Sequence, residues 1–128
     1  MSSQIPGKLD RTLYVGTTFL LRCVYRDNAN AIIDVTGYKA WFQMRADFDT
    51  DTVALEAKSN DGDTPFTFSG TSNPNITLNL TPAKTVGLKR GKYKYGVLIK
   101  VPTVNYSHLL MSGEIEVVDN PVQGLIDW

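Results

Sequence analysis

Apolar and polar residues alternate most regularly between Leu88 and Val101, which predicts a turn followed by a long central β-strand. One face of this strand is apolar and aromatic and carries Tyr93, Tyr95, Val97, Ile99 and Val101. The other face is cationic and carries Lys92, Lys94 and Lys100. A period of two residues indicates a strand with one face in a core and the other in water. We therefore expect the remaining strands to pair with this one or to pack across from it.

The same alternation predicts further short strands, each bounded by residues that favour turns. They cover residues 8–15, 17–26, 38–45, 52–58, 66–68, 76–80 and 108–118, with an acidic loop at 47–51. Gly113 suggests a kink in the last strand. Residues 81–87 are predicted to form one helical turn, capped by Thr81 with Pro82 in its first position. Strands without full helices between them indicate an all-β antiparallel sandwich or barrel of about seven to nine strands.

The strand predicted over residues 38–45 contains one of the two tryptophans. Its phase puts Tyr38, Ala40, Phe42 and Met44 on the inward face. The same phase sends Trp41 to the opposite face, among polar residues. An outward tryptophan indicates a surface that a partner covers. The alternative is that the phase slips by one residue and Trp41 belongs to the core, and the sequence leaves both interpretations open.

The two ends of the chain differ from the middle. We interpret residues 1–7 as a loose arm, residues 8–118 as one β-sandwich domain and residues 119–128 as a tail that leaves the fold at Pro121. The tail contains three large apolar residues, Leu125, Ile126 and Trp128. A mobile tail has no use for such groups, so we expect them to dock on the domain or on a neighbouring molecule.

Composition narrows the classes of partner. The 128 residues suit one domain, and an apolar share of 42% is enough for a core. Lysine and arginine number 13, as do aspartate and glutamate, so no net charge favours nucleic acid or a membrane surface. The charges are nevertheless sorted, and one segment is purely cationic: Lys84, Lys89, Arg90, Lys92, Lys94 and Lys100. This segment either meets an acidic partner or is a solvated strand face.

Cys23 is the single cysteine, which excludes an intrachain disulfide and fits assembly in a reducing cytoplasm. No apolar run is long enough to span a membrane, and the first residues lack the apolar stretch of a signal peptide. Without secretion, the glycosylation patterns that begin at Asn75 and Asn105 have little meaning.

Residues for catalysis or metal binding are not arranged in a usable pattern. His108 is the single histidine; its neighbour Ser107 is expected on the opposite strand face, and Cys23 is expected in the core. The acidic run at 47–51 begins like a calcium loop but lacks the glycine and the glutamate of an EF-hand, which leaves only a looser calcium site open. We therefore predict no catalytic residue, no cofactor and no metal, and no enzyme activity.

Leu88, Gly91, Tyr93 and Tyr95 have the spacing of the tyrosine corner found in immunoglobulin-like domains. Tyr95 stands where the second bridging cysteine of such a domain would be, and Cys23 stands where its partner would be. Packing must then replace the bridge. We expect the Tyr93 hydroxyl to bond a backbone group a few residues upstream. Gly91, Tyr93, Tyr95 and Cys23 are accordingly assigned structural roles.

A longer series of short motifs follows in order along residues 14–118. It runs through residues 16–19, 33–40, 43–45, 78–82, 91–95 and 109–117, with Asp34-Val35-Thr36-Gly37-Tyr38 as its most distinctive element. The series resembles a family of small bacteriophage virion proteins with an immunoglobulin-like fold. It is similar to the amino-terminal domain of upper baseplate proteins and to short head- or tail-associated proteins.

The resemblance implies a structural protein of a tailed phage virion, assembled in the host cytoplasm. We expect a decoration or cement subunit that binds the head surface in many copies or as a homo-oligomer, with capsid or tail proteins as partners. The contact residues would be Trp41, Lys89, Arg90, Lys92, Lys94, Leu125, Ile126 and Trp128. One alternative is a tail or baseplate adaptor. Another is a carbohydrate-binding surface module that uses Trp41 and Tyr106.

Overall fold

The computed structural model describes residues 7–46, 49–62, 64–102 and 106–121. Within these ranges the chain forms nine strands and one helical turn. They are β1 (Gly7–Lys8), β2 (Arg11–Tyr14), β3 (Phe19–Cys23), β4 (Lys39–Ala46), β5 (Asp49–Lys58), β6 (Phe66–Phe68), β7 (Ile76–Leu80), α1 (Pro82–Thr85), β8 (Gly91–Val101) and β9 (Tyr106–Val118).

The strands form two sheets that pack face to face. The larger sheet has the order β5-β4-β8-β9, with β1 and β2 both on the free side of β9, and the smaller has the order β3-β7-β6. These two sheets are the layers of an immunoglobulin-like β-sandwich. The chain crosses from the larger sheet to the smaller one between β2 and β3. The predicted fold class is therefore confirmed. One detail differs: β1 and β2 pair parallel with β9, so the larger sheet is not antiparallel throughout.

β8 is the central strand of the larger sheet, between β4 and β9. Its predicted inward residues Tyr93, Tyr95, Val97 and Ile99 are buried, and its three lysines are exposed. Across the sandwich, β3 and β7 contribute Phe19, Leu21, Cys23, Ile76, Leu78 and Leu80 to the same core. Each large aliphatic or aromatic side chain buried in this way contributes about 1.5–3 kcal/mol relative to exposure. The core is thus the product of two alternating patterns that face each other.

The tyrosine corner is present. The Tyr93 hydroxyl donates a hydrogen bond of 2.5 Å to the carbonyl oxygen of Lys89, four residues upstream. Gly91, between them, has φ of +150°, a backbone conformation that favours glycine. The bond fixes the turn that leads into β8 and so sets where the central strand begins.

Replacing Tyr93 with phenylalanine is expected to lower the free energy of unfolding by about 1 kcal/mol, the net worth of one such hydrogen bond. Urea denaturation followed by fluorescence measures the change. Tyr14→Phe is the matched control, since Tyr14 is half exposed and should change little. Equal midpoints for the two variants would contradict a stabilising corner.

The position of the missing disulfide is filled by packing and one hydrogen bond. Tyr95 lies with its ring centroid 5.8 Å from that of Phe42, and its hydroxyl donates a bond of 2.5 Å to the carbonyl oxygen of Leu9. Cys23 is buried with its Sγ 3.9 Å from the Sδ of Met111. Burial raises the pKa of the Cys23 thiol to about 11, so at neutral pH it is an unreactive core residue.

Several predicted boundaries were wrong. β5 begins at Asp49, so the carboxyl end of the predicted acidic loop is strand, and Asp47 lies outside the described residues. The strand expected over residues 8–15 is divided into β1 and β2, and β9 begins at Tyr106 instead of His108. α1 starts at Pro82 as predicted, but the Thr81 side chain makes no capping hydrogen bond.

The predicted kink at Gly113 was also wrong. The irregularity in β9 lies nearer its start, because Val97 pairs with Met111 while Leu98 pairs with Leu109, which leaves Leu110 without a partner position. Gly113 is regular, and it faces the connection between β1 and β2. A Cβ at this position would overlap the carbonyl oxygen of Leu9. A glycine is needed here for close approach of two backbones.

Asn75 ties three segments together inside the sandwich. Its side chain is only 1% exposed. The Oδ1 atom accepts a hydrogen bond of 3.0 Å from the N–H of Tyr25. The Nδ2 atom donates to the carbonyl oxygens of Ile33 at 2.8 Å and Gly70 at 3.1 Å. This side chain is therefore structural and cannot accept a glycan in the folded protein.

Candidate functional site

Three large apolar side chains line up across the outer face of the larger sheet. Trp41 on β4 pairs in register with Leu98 on β8, and Leu98 pairs with Leu109 on β9. Their exposed fractions are 39%, 37% and 37%. We call these three residues the outer ridge. Of the two interpretations of Trp41, the outward one is therefore correct.

A groove lies on each side of the outer ridge. The first has a volume of about 370 Å³ and is lined by the ridge together with Gln43, Arg45, Lys94 and Gly96. Gly96 stands between Gln43 and Ser112 in register, and its missing side chain deepens the groove. A Cβ at Gly96 would come within 3.0 Å of the Leu109 Cδ1 atom. We call this depression the Gly96 groove.

The second groove has a volume of about 290 Å³ and begins at Trp41 and Leu98. Its other lining residues are mostly polar: Lys39, Ala40, Lys58, Ser59, Asn60, Ile99, Lys100 and Ser107. The outer ridge is thus an apolar line between two depressions, with cationic side chains in both. Such an arrangement suits a partner that presents apolar groups together with acids.

The indole of Trp41 is held in place by its neighbours. Its Nε1 donates a hydrogen bond of 3.1 Å to Glu56 Oε2, which also accepts one of 3.0 Å from Gln43 Nε2. These two bonds, from Trp41 first and Gln43 second, lower the pKa of the Glu56 carboxyl. The Lys58 ammonium lies 4.8 Å from the ring centroid. Because the ring is already oriented, a partner that packs on it loses little side-chain entropy there.

The predicted cationic patch is exposed, but the fold brings acids to it. Lys92 lies opposite Glu116 and Lys94 lies opposite Glu114 on β9. Arg90 forms an exposed ion pair of 3.3 Å with Asp119, which contributes little to stability. The segment looks purely cationic in the sequence because its neighbouring acids come from β9 and the residue after it, 20 to 29 residues further along the chain.

The structure brings together only some of the predicted contact residues. Trp41 and Lys94 line the Gly96 groove, and Lys92 lies on the same face nearer the start of β8. Lys89 and Arg90 are exposed in the turn before that strand. Leu125, Ile126 and Trp128 lie outside the described residues. Leu98 and Leu109 were not predicted, although Leu98 interrupts the lysine face of β8 and so gave a signal.

The aromatic pair invoked for carbohydrate binding is not assembled. Trp41 is on the outer face, whereas Tyr106 pairs in register with Val101 and packs its ring 5.5 Å from that of His108. The Lys58 ammonium also covers one face of the Trp41 ring. A sugar-stacking platform would need both aromatic side chains on one surface.

Among the described residues, no group of three or more histidine, cysteine, aspartate or glutamate side chains could hold a metal ion. His108 has both ring nitrogens buried without a hydrogen-bond partner in the described part of the chain. The centroid of its ring lies 5.0 Å from the centroid of the Tyr25 ring. The same part of the chain contains no helix that is long and apolar enough to cross a membrane.

Stability is expected to fall as pH drops below the ordinary pKa of histidine, about 6.5. Burial lowers the pKa of His108 in the folded protein, so the unfolded chain binds the proton more tightly and gains stability in acid. The Tyr25 ring packs against it, and burial raises the pKa of the Tyr25 hydroxyl to about 12, so Tyr25 stays neutral in this range. Urea midpoints at pH 7.5 and 5.5 should differ for the wild type and much less for His108→Phe. An equal pH dependence in both proteins would contradict this assignment.

Comparisons with known proteins add little. No family model matches the chain, and no curated protein matches it. Among solved structures, it is similar to a chain from a study described as photo-crosslinking analyses of multimeric cell-adhesive interactions of VGSC beta subunits. The two chains are 14% identical with a TM-score of 0.43, over 94% of this chain and 99% of the other. A similarity of this size says nothing about what the chain binds.

Proposed function

We propose that this chain is a non-enzymatic structural protein of a tailed bacteriophage virion, most simply a decoration or cement subunit on the head surface. The observation that carries the binding role is the outer ridge of Trp41, Leu98 and Leu109 on an open sheet face. The assignment to a virion is supported by the resemblance of residues 14–118 to small immunoglobulin-like virion proteins.

The outer ridge has the properties of a binding centre. Tryptophan is enriched among the residues that dominate binding energy, and here its ring is fixed by Glu56 and Lys58. Two leucines extend the apolar line across three strands. Charged side chains form the border, which is the usual distribution of a protein–protein interface with an apolar centre and a polar rim.

The experiment compares the incorporation of variant chains into particles of the encoding phage. Leu98→Glu places a charge at the centre of the outer ridge and should reduce the copy number per particle at least about tenfold, the effect of losing about 1.4 kcal/mol of binding energy. Val86→Glu is the matched control, since Val86 is equally exposed but lies beyond α1. Circular dichroism verifies that both variants fold.

Full incorporation of Leu98→Glu would overturn the proposed role of this face. The copy number of the wild type also separates a decoration subunit, present in many copies, from a tail or baseplate adaptor, present in the few copies of a ring. Carbohydrate binding is disfavoured because Trp41 and Tyr106 lie on different faces of the sheet.

A further inference from the structure

We propose that the outer ridge and the Gly96 groove receive the tail residues 122–128 of a second copy of this chain, so that copies join head to tail. This inference rests on the proposed function, because it names the partner that the outer ridge binds. Three observations support it: the chemistry of the tail, the charge around the groove, and the place where the chain leaves the sheet.

The tail has the composition that the face requires. Residues 122–128 are Val-Gln-Gly-Leu-Ile-Asp-Trp, with three large apolar side chains and one acid within four positions. The Gly96 groove has a volume of about 370 Å³, which is within the range of pockets that hold compact ligands. Leu125, Ile126 and Trp128 would contact the outer ridge, and their burial would supply most of the binding energy.

The charge of the face fits the acid in the tail. Arg45 and Lys94 line the Gly96 groove, and Lys39, Lys58 and Lys100 line the groove on the other side of the outer ridge. Among the described residues, no acid lines either groove. Asp127 would therefore meet a cation in whichever of the two grooves it enters. Matched charge of this kind selects the partner and its orientation.

The point of exit favours a second copy over the same chain. Val117 pairs with Gly91, at the opposite end of β8 from Leu98. Asp119 and Asn120 are held there, by the ion pair with Arg90 and by a hydrogen bond of 3.2 Å from Asn120 Nδ2 to the carbonyl oxygen of Val15. The tail thus starts about seven residues, or roughly 23 Å, away from its own outer ridge.

The reach of the tail is too short for its own outer ridge. Leu125, Ile126 and Trp128 follow Pro121 by four, five and seven residues, which span at most about 14, 18 and 25 Å when fully extended. To reach their own outer ridge they would first have to reverse direction. A turn of about four residues would leave Trp128 with about three residues, or roughly 11 Å, of reach. The outer ridge of a neighbouring copy has no such restriction. Because the tail and the outer ridge are different surfaces, the contact is heterologous and generates rings or open chains.

The test is a complementation experiment on purified protein, measured by sedimentation equilibrium. The full chain should associate beyond the 14.2 kDa of one copy. Two single defects should each abolish association: deletion of residues 122–128, which leaves the groove intact, and Leu98→Glu, which leaves the tail intact. An equimolar mixture of the two should form a dimer and nothing larger, because one intact tail meets one intact groove. Val86→Glu should associate like the wild type.

Other outcomes would overturn the inference. A monomeric full chain, or a mixture that stays monomeric, excludes the tail as the occupant. Association that survives the deletion but not Leu98→Glu would mean that the outer ridge pairs with itself or with another surface. The proposed function is judged separately by copy number per particle. Loss of Leu98→Glu from particles while the deletion variant is incorporated fully would retain that function without the tail contact.

Discussion

Replacing Asn75 with alanine is expected to lower the free energy of unfolding by about 3–5 kcal/mol, a large part of the stability of a small domain. The substitution removes three hydrogen bonds, of 3.0 Å from Tyr25 and of 2.8 Å and 3.1 Å to Ile33 and Gly70. Each hydrogen bond contributes about 1 kcal/mol to stability where both of its partners can bond to water after the bond is lost. Because Asn75 is buried, the backbone groups that lose their partner remain shielded from water, and their desolvation costs additional free energy.

Asn79→Ala is the matched control for this prediction. Asn79 lies in β7, which begins directly after Asn75, but its side chain is exposed, so the change should stay within about 0.5 kcal/mol. Urea denaturation of the two variants under identical conditions gives both values. Similar midpoints for Asn75→Ala and Asn79→Ala would show that the buried amide does not tie the three segments together.

Replacing Gly113 with alanine is expected to cost about 3 kcal/mol, near the upper range for inserting a methyl group into a packed site. The added Cβ would overlap the carbonyl group of Leu9, and backbone cannot rotate away as a side chain can. The same junction is held by the N–H of Leu9 bonded to Ser112 at 3.0 Å and by the N–H of Glu114 bonded to Asp10 Oδ1 at 3.0 Å. Displacing Leu9 therefore disturbs several bonds at once.

Hydrogen exchange distinguishes this local effect from a general loss of stability. In Gly113→Ala, the amides of Leu9 and Glu114 should exchange faster than those of β3 and β7. Gly87→Ala is the matched control, because a Cβ at Gly87 has no atom within 4 Å. If both glycine variants unfold at the same urea concentration, the close approach at position 113 is not limiting.

The central strand could be predicted because its signal is local. β8 alternates over eleven residues, and burial of one face alone sets that pattern. The parallel pairing of β1 and β2 with β9 could not be predicted in the same way, since it depends on a contact across 100 residues. The sequence predicts a kink at Gly113 for the same reason, because the backbone that approaches Gly113 comes from the distant Leu9.

The candidate site was predicted only in part. The alternation of β4 placed Trp41 outward but could not say whether the phase held. Leu98 was visible as an apolar residue among lysines. Leu109 joins it only because the irregularity at Leu110 shifts the phase of β9, and nothing in the local sequence indicates that shift. The structural role of Asn75 could not be predicted, because two of its partners, Tyr25 and Ile33, are more than 40 residues away in the chain.

The bond from Tyr95 to Leu9 takes over the position at which a related sandwich would carry two joined sulfurs. A hydroxyl and a carbonyl oxygen form a hydrogen bond without an oxidant and without a disulfide isomerase. Folding of the domain therefore requires no oxidation step, and dithiothreitol or glutathione has no covalent link to break.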